Sequence, residues 1–390
     1  MSLTAPPRGS AGGRATAVTD APAGPAPDLG WLRRVGLGLL GLQLAGLLAW
    51  SAVLASRYAL ARDFAIYHQV AWLVAHGHLD PFDTVDGFPF WRSHGELLVW
   101  PLGLLQAALP WDATLLWVQD LCLVGAEAVA FLWLCDLAPA PPVARAGRRL
   151  PALLAAAGLV LLVADPWIYW AASWDFHLEV VGALFTLLAA RELYRRPEGR
   201  RLWLWVGLAL ACGDVVATYL VGIGLGGVLA GRRWRRAGLL VALAAAAWAA
   251  ALSLAGANRA SGLVTGYGYL ATGGPTAPAR LGLGQLAAGV LRHPQRVAQV
   301  VWARRLDVYA ALGPAGVVGV ASPWALPAAA LVLAENALNR YLGFLVPGFQ
   351  DLLVFLLVPV GTVAVLAALA RRRRRWVAWG AAALAANALA

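Results

Sequence analysis

Several stretches of this chain are apolar on every helical face for the whole length of a helix, and no other feature restricts its fold as strongly. A soluble helix buries one face and exposes another, so its apolar residues form a stripe. A helix that is apolar all round suits a lipid bilayer, where about 20 such residues span the hydrocarbon core. Transmembrane strands alternate instead over about 10 residues. These runs therefore predict an all-α, polytopic transmembrane helix bundle.

Composition leads to the same class of protein. Of the 390 residues, 61% are hydrophobic and only 13% are charged, whereas soluble domains are about 25% charged. The net charge of +11 comes from arginines that stand between the apolar runs. That distribution indicates membrane topology rather than a nucleic-acid partner. The cysteines, Cys122, Cys135 and Cys212, lie inside apolar stretches and are expected to be core residues.

The apolar runs divide the chain into membrane spans. The segment 202–230 has basic flanks and carries Gly213 and Asp214 in its middle, so we interpret it as two short helices broken near Asp214. Including that pair and a short apolar piece at 97–109, we expect about 11 to 13 helices. The remaining spans are predicted at 35–56, 113–136, 150–168, 178–194, 237–256, 307–321, 323–339, 350–370 and 376–390.

Arginine clusters favour the cytoplasmic side of a membrane. All four clusters reach that side when residues 1–30 form a disordered cytoplasmic tail and 31–390 form a single transmembrane domain. The main extracytoplasmic loops are then 57–96 and 257–306, and the amphipathic stretch 281–292 is expected to lie along the membrane interface. The clusters fall within residues 145–149, 195–201, 232–236 and 371–375.

Asp63 follows the first span and is the first candidate for chemistry. A carboxylate at the membrane boundary is partly desolvated, and this tunes its basicity. Such a group suits a general base that deprotonates a hydroxyl. The alternative is an ion pair with Arg57 or Arg62 that only satisfies charge. Spacing alone leaves both interpretations open.

The stretch WDFHLE at 174–179 places Asp175, His177 and Glu179 where a loop meets the next span. Carboxylates and a histidine at such a junction are candidates for acid–base chemistry or substrate binding. The alternative is a solvated helix start, with Asp175 near the N-cap.

Asp214 lies within an apolar segment. An ionisable group at membrane depth is costly and points to a functional site, unless it makes only a structural hydrogen bond. Asp120, Glu127 and Asp307 are similar but weaker candidates, and His94 and Glu96 supply another histidine and carboxylate at the membrane edge.

The histidines and acids leave a divalent metal possible, but no pair has a spacing such as HExxH. No phosphate-binding loop is present either. The sequence therefore indicates no certain cofactor. The glycines at 222–227 lie within a span and are expected to serve helix packing.

The order of these motifs resembles a bacterial family of polytopic membrane proteins, domain-of-unknown-function family 2079. The resemblance covers residues 35–370, and that family is in turn similar to the GT-C membrane glycosyltransferases. The motifs, in order, are Asp63-Phe64-Ala65-Ile66-Tyr67-His68-Gln69, Ser93-His94-Gly95-Glu96, Asp175-Phe176-His177-Leu178-Glu179, Gly213-Asp214 and Phe349-Gln350-Asp351.

This resemblance implies a GT-C-like fold and transfer of a hexosyl or pentosyl group from a polyprenyl-phosphate donor to a glycan or lipid acceptor of the cell envelope. It makes Asp63 the catalytic base, and it places His94, Asp175, His177 and Asp214 around the donor phosphate or the acceptor. The other residues of these stretches expected to bind substrate are Arg62, His68, Gln69, Glu96 and Glu179.

Two functions from other classes stay open at this point. A transporter or lipid flippase would show internal repeats and paired broken spans, and only one broken span, 202–230, is evident in the sequence. The other alternative is a membrane scaffold without catalytic activity.

Overall fold

The computed structural model describes residues 28–92, 95–139, 149–257, 263–272, 281–340, 347–370, 377–382 and 384. These residues form a helical bundle, which confirms the predicted fold class. A two-residue antiparallel hairpin pairs β1 (Phe82–Asp83) with β2 (Phe88–Pro89). The α-helices are α1 Gly30–Ser56, α2 Arg62–Ala75, α3 Val99–Ala108, α4 Thr114–Leu137, α5 Arg149–Val163, α6 Pro166–Ser173, α7 Leu178–Arg195, α8 Arg200–Leu210, α9 Asp214–Ala230, α10 Arg232–Ala255, α11 Leu263–Thr272, α12 Leu283–Arg292, α13 Pro294–Ala303, α14 Arg305–Leu312, α15 Leu326–Leu338 and α16 Leu352–Leu369.

Five segments of the described chain are long and apolar enough to cross a membrane, which supports the predicted membrane location. Three shorter apolar helices, α3, α9 and α15, pack among them. The five long segments are Gly30–Ser56, Thr114–Leu137, Arg149–Ser173, Arg232–Ala255 and Phe349–Leu369.

The helices outnumber the 11 to 13 expected because both segments interpreted as loops contain helices. The segment 57–96 holds α2, and 257–306 holds α11, α12 and α13. Their sequences mix polar with apolar residues, so they lack the continuous apolar run that identifies a span.

The predicted break in 202–230 is confirmed. Helix α8 ends at Leu210 and α9 begins at Asp214, with Gly213 between them at φ +127°. That conformation is readily adopted only by glycine.

The prediction of one span at 307–321 is wrong. Helix α14 ends at Leu312, and a 3-10 helix follows at Val317–Ala321. Gly316 lies between them at φ +85°, and the Thr362 hydroxyl donates to the carbonyl oxygens of Ala315 and Gly316 at 3.2 and 3.1 Å. These contacts hold the broken segment against α16.

A ladder of polar pairs joins α1 to α4 inside the bundle. The residue numbers of the partners rise along α4 and fall along α1, so the two helices are antiparallel. Asp120 and Glu127 therefore make structural hydrogen bonds, which is the alternative to a functional role that the sequence left open. The pairs are Ser51 Oγ with Asp120 Oδ2 at 2.7 Å, Gln43 Nε2 with Glu127 Oε2 at 2.9 Å and Arg33 with Asp136 at 3.3 Å.

Asp136 marks one end of the bundle. It also pairs with Arg191 at 2.8 Å and lies 3.9 Å from Arg195, both in the last two turns of α7. Helix α1 starts at this end and α7 finishes there. Asp63 and His177 therefore lie at the opposite end, after α1 and before α7.

The glycines of 222–227 allow close helix packing, as expected. A methyl group at Gly222 would clash with the backbone of Ala328 in α15, and one at Gly224 would clash with Gly238 in α10. Small residues let these backbones approach closely, which drives helix association in membranes.

Candidate functional site

Asp63 and His177 meet at the end of the bundle opposite Asp136. Asp63 lies in the first turn of α2, and His177 is the N-cap residue of α7. Oδ2 of Asp63 is 3.2 Å from Nε2 of His177. The Asp63 side chain is 39% exposed, whereas that of His177 is 6% exposed. The pair thus joins a solvent-facing carboxylate to a buried ring.

The other ring nitrogen fixes the proton positions of this pair. Nδ1 of His177 is 2.9 Å from the carbonyl oxygen of Asp175, which can only accept, so Nδ1 carries a hydrogen. A proton must therefore lie between Nε2 and the Asp63 carboxylate. Burial alone lowers the pKa of His177, but the hydrogen bond to Asp63 and the charge of Glu179 outweigh burial and raise this pKa above its usual value. An imidazolium donating to a carboxylate accounts for both observations.

Asp175 holds the helix that carries Asp63. Its Oδ1 accepts from the backbone N–H of Ala61 at 2.9 Å, and its Oδ2 accepts from that of Phe64 at 3.2 Å. Ala61 is the N-cap residue of α2 and cannot cap the helix with its own side chain. Asp175 supplies that cap from a distant part of the chain. The alternative of a solvated helix start is not what the structure shows, because Asp175 is buried and its carboxylate caps α2 rather than its own helix.

Gln119 is a residue of this site that the sequence did not single out. It is fully buried near the start of α4. Its Nε2 donates to the carbonyl oxygen of Asp175 at 3.2 Å, and its Oε1 accepts from the backbone N–H of His177 at 2.7 Å. One amide side chain therefore fixes the backbone that positions the imidazole. Its only signal in the sequence was a polar residue, next to Asp120, inside an otherwise apolar run.

Tyr67 and Glu96 form a buried pair next to the histidine. The Tyr67 hydroxyl donates to Oε1 of Glu96 at 3.0 Å. Burial and the charge of Glu96 raise the pKa of Tyr67 well above its usual value, so the phenol keeps its proton. The Tyr67 ring packs edge-on against Phe176 and His177.

The break between α8 and α9 borders this pair. A side chain at Gly213 would come within 3.1 Å of Cγ of Glu96. The backbone N–H of Leu98 donates to the carbonyl oxygen of Ala211 at 2.9 Å. The predicted break in 202–230 therefore lies against Glu96 and brings Asp214 to this end of the bundle.

Further acids extend from the pair towards α9 and α15. Glu179, in the first turn of α7, acts electrostatically on both His177 and Tyr67. The charges of Asp214 and Glu179 both reach Glu335 in α15. Glu335, which also bonds to the Thr218 side chain, is a second residue that the sequence analysis missed.

Three predicted substrate-binding residues have other partners in the structure. Arg62 forms an ion pair with Asp86. Oε1 of Gln69 accepts from the backbone N–H and the hydroxyl of Thr84 at 3.1 Å each. These contacts attach the β1–β2 hairpin to α2. His68 stacks on the Phe64 ring with centroids 5.3 Å apart, and its Nε2 lies 3.7 Å from Asp112. His94 lies outside the described residues.

The described side chains contain no group of three or more His, Cys, Asp or Glu residues arranged to hold a metal ion.

Aromatic rings connect the site to an apolar groove. The His177 ring lies 3.6 Å from that of Phe349, measured between centroids. Trp174 follows at 6.3 Å from Phe349, and Trp170 at 4.7 Å from Trp174. Trp170 also lines a groove of about 410 Å³ between α1 and α6, together with Leu47, Trp50, Pro166, Tyr169 and Ser173.

The fold and this site define a polytopic α-helical membrane protein with a buried acid–histidine cluster at one end of its bundle. The chain belongs to the family described as predicted membrane protein DUF2079, which matches residues 56–390. No curated protein and no solved structure matches the chain.

Proposed function

We propose that this protein is a glycosyltransferase that moves a sugar from a polyprenyl-phosphate donor to a hydroxyl group of a cell-envelope acceptor on the extracytoplasmic face. The observation that carries the proposal is the 3.2 Å contact between Asp63 Oδ2 and His177 Nε2. It joins a partly exposed carboxylate to a buried histidine that holds its orientation. Base catalysis requires a group held in this way.

In the proposed reaction, Asp63 accepts the proton of the acceptor hydroxyl as its oxygen attacks the anomeric carbon. The bond between that carbon and the phosphate oxygen breaks, and its electron pair leaves with the lipid phosphate. Attack from the side opposite the phosphate inverts the anomeric configuration. His177 keeps the carboxylate in position, and the 39% exposure of Asp63 lets it release the proton to water afterwards.

A lipid-linked donor needs an apolar channel that leads to a polar site. The groove lined by Trp50 and Trp170 is apolar, and the rings of Trp170, Trp174 and Phe349 continue from it to His177. We assign the isoprenoid chain to this groove. That arrangement supports a donor whose headgroup reaches Asp63 from within the membrane.

The arginine pattern supports an extracytoplasmic site. Arg191 and Arg195 lie around Asp136, and the basic residues 232–236 begin α10 directly after α9. Arginines favour the cytoplasmic side. Helix α7 begins next to His177 and ends at Arg195. If the Asp136 end faces the cytoplasm, the Asp63–His177 pair therefore faces the extracytoplasmic side.

Transport is a second candidate, favoured by one specific observation. The structure contains a second broken span: α5 ends at Val163 and α6 begins at Pro166, with the buried Asp165 as its N-cap. Asp214 stands at the corresponding start of α9. Paired broken helices are typical of transporters.

A conservative variant tests the transferase. In cells producing Asp63→Asn, we expect an envelope glycan to lose a sugar and the lipid-linked donor to accumulate, because the base is gone while the shape is kept. The matched control is Asp80→Asn, which changes an exposed aspartate of the same segment. A glycan profile and a donor pool identical to wild type, with the variant folded and at normal abundance, would reject the transferase.

A further inference from the structure

Tyr269 in α11 is the centre of a cationic cluster away from the Asp63–His177 pair. The ring is 3% exposed, and its hydroxyl donates to the carbonyl oxygen of Leu338 at 2.8 Å. The Arg340 guanidinium lies 3.8 Å from the ring centroid. Arg304 donates to the carbonyl oxygen of Asn339 at 3.3 Å. The guanidinium groups of Arg304 and Arg340 therefore both lie at the short segment 338–340, which Tyr269 contacts.

A third arginine completes the cluster. The charge of Arg296, in α13, reaches the Tyr269 hydroxyl together with those of Arg304 and Arg340. Nε of Arg296 is buried and has no hydrogen-bond acceptor. Within the part of the chain that the structure describes, this side chain donates one hydrogen bond, from a terminal nitrogen to Oε1 of Gln299 at 3.4 Å. This guanidinium thus has donor capacity to offer a ligand.

None of these three arginines forms a salt bridge with a carboxylate in the part of the chain that the structure describes. The described carboxylate nearest in sequence to Arg296 and Arg304 is Asp307, which is exposed in α14. For Arg340 it is Glu335, which bonds to the Thr218 side chain. Three like charges around one buried ring repel one another. An anion with several oxygens relieves this repulsion and matches the fork of guanidinium donors.

The surface beside the cluster is apolar. On α13 and α14, the side chains of Trp302, Leu306 and Tyr309 are each more than 60% exposed. Arg305 lies 4.5 Å above the Trp302 ring, so a cation covers the edge of this surface. Arginine heads next to exposed aromatic and aliphatic side chains are typical of helices that lie in the membrane interface.

We infer that Arg296, Arg304 and Arg340 bind the phosphate of an anionic membrane phospholipid, with its acyl chains against Trp302, Leu306 and Tyr309. This site uses none of the residues assigned to sugar transfer, so it stands whether or not the protein is a glycosyltransferase. The phosphate supplies the missing negative charge, and the exposed apolar side chains distinguish a lipid from a soluble phosphate.

The test measures binding of fluorescent phosphatidylglycerol to the purified full-length protein in neutral detergent micelles. We expect Arg304→Gln and Arg340→Gln each to weaken binding roughly tenfold, since each removes one charge-assisted contact. Arg292→Gln, which removes an exposed arginine of α12, should bind like wild type. Phosphatidylcholine serves as the zwitterionic comparison and should bind more weakly to wild type.

Further measurements keep the inference testable. If a glutamine variant does not fold, Arg304→Lys and Arg340→Lys keep the charge but lose the fork, and they should bind with intermediate affinity. Displacement of the lipid by millimolar inorganic phosphate would assign the site to a soluble anion and overturn the lipid assignment. Equal loss in Arg292→Gln, or no loss in the Arg304 and Arg340 variants, would overturn the site itself.

Discussion

Oδ2 of Asp175 accepts a 3.2 Å hydrogen bond from the backbone N–H of Phe64, 111 residues earlier in the chain. Through this bond and its partner at Ala61, one carboxylate caps the helix that presents Asp63. The following backbone, at His177, presents the imidazole to the same Asp63. Asp175 is therefore the residue that aligns the two halves of the site, although it does not itself contact the reacting groups of the proposed mechanism.

Removal of this cap should destabilise the site. We expect Asp175→Ala to lower the free energy of unfolding by about 1–2 kcal/mol, because it leaves two backbone N–H groups without acceptors. Asp175→Asn keeps one oxygen acceptor and should lose less. Thermal unfolding in detergent measures both variants. Equal stability of the alanine variant and wild type would show that the trans cap contributes nothing.

The Gln119 amide should be equally sensitive to substitution. Gln119→Leu keeps the size of this buried side chain but removes its bonds to Asp175 and His177, so we expect a loss of about 1–3 kcal/mol. Gln119→Glu retains the acceptor for the His177 N–H but loses the donor to the Asp175 carbonyl. Its stability therefore separates the contributions of the two hydrogen bonds. The control is Gln106→Leu, which removes a buried amide of α3 that donates to the nearby Trp111 carbonyl and makes no other hydrogen bond within the described residues. A greater loss in that control would contradict a special role for Gln119.

The stability contributed by His177 should depend on pH in a definite direction. The folded protein holds the His177 proton more tightly than the unfolded chain, whose histidines titrate near 6.5. The contribution is therefore complete below about pH 6.5 and is lost as pH rises through the higher pKa of the folded state. Wild type should exceed His177→Gln in stability by more at about pH 6 than at about pH 9. A difference that grows with pH would contradict the imidazolium–carboxylate pair.

The polar ladder between α1 and α4 should show energetic coupling. Gln43→Leu leaves Glu127 buried without its amide partner, whereas the double variant with Glu127→Leu removes both polar groups. The sum of the single losses should exceed the double loss by about 0.5–3 kcal/mol. A cycle on Leu42 and Leu121, exposed on the same two helices, should give no coupling. Additive losses at Gln43 and Glu127 would show that their hydrogen bond is not significant for stability.

Long spans such as α1 and α4 were predictable because each is one continuous apolar run. The prediction failed at 307–321, where the chain breaks at Gly316. The break at Gly213 was predictable for a similar reason, since a glycine followed by an acid interrupts such a run locally. Helix α2 was not evident, because Asp63, His68 and Gln69 make its sequence resemble a loop. Its N-terminus depends on Asp175, and no local pattern reveals a cap supplied from another segment.

The candidate site was partly predictable from local features of the sequence. Asp63, Asp175 and His177 were singled out because charged groups beside apolar runs are conspicuous, and the structure brings them together. Gln119 and Glu335 were missed because each lies inside a helical run with no recognisable motif around it. Their roles depend on which helices become neighbours, and that is a tertiary property.

The orientation of the Asp63–His177 end is the central claim, and cysteine labelling tests it directly. Tyr58, which is 82% exposed, follows α1 at the same end of the bundle as this pair, whereas the exposed Glu198 follows α7 at the Asp136 end. A membrane-impermeant thiol reagent should label Tyr58→Cys in intact cells, and it should label Glu198→Cys only after permeabilisation, with wild type as the background for its native cysteines. Labelling of Glu198→Cys in intact cells, with Tyr58→Cys protected, would place the site in the cytoplasm and contradict the account.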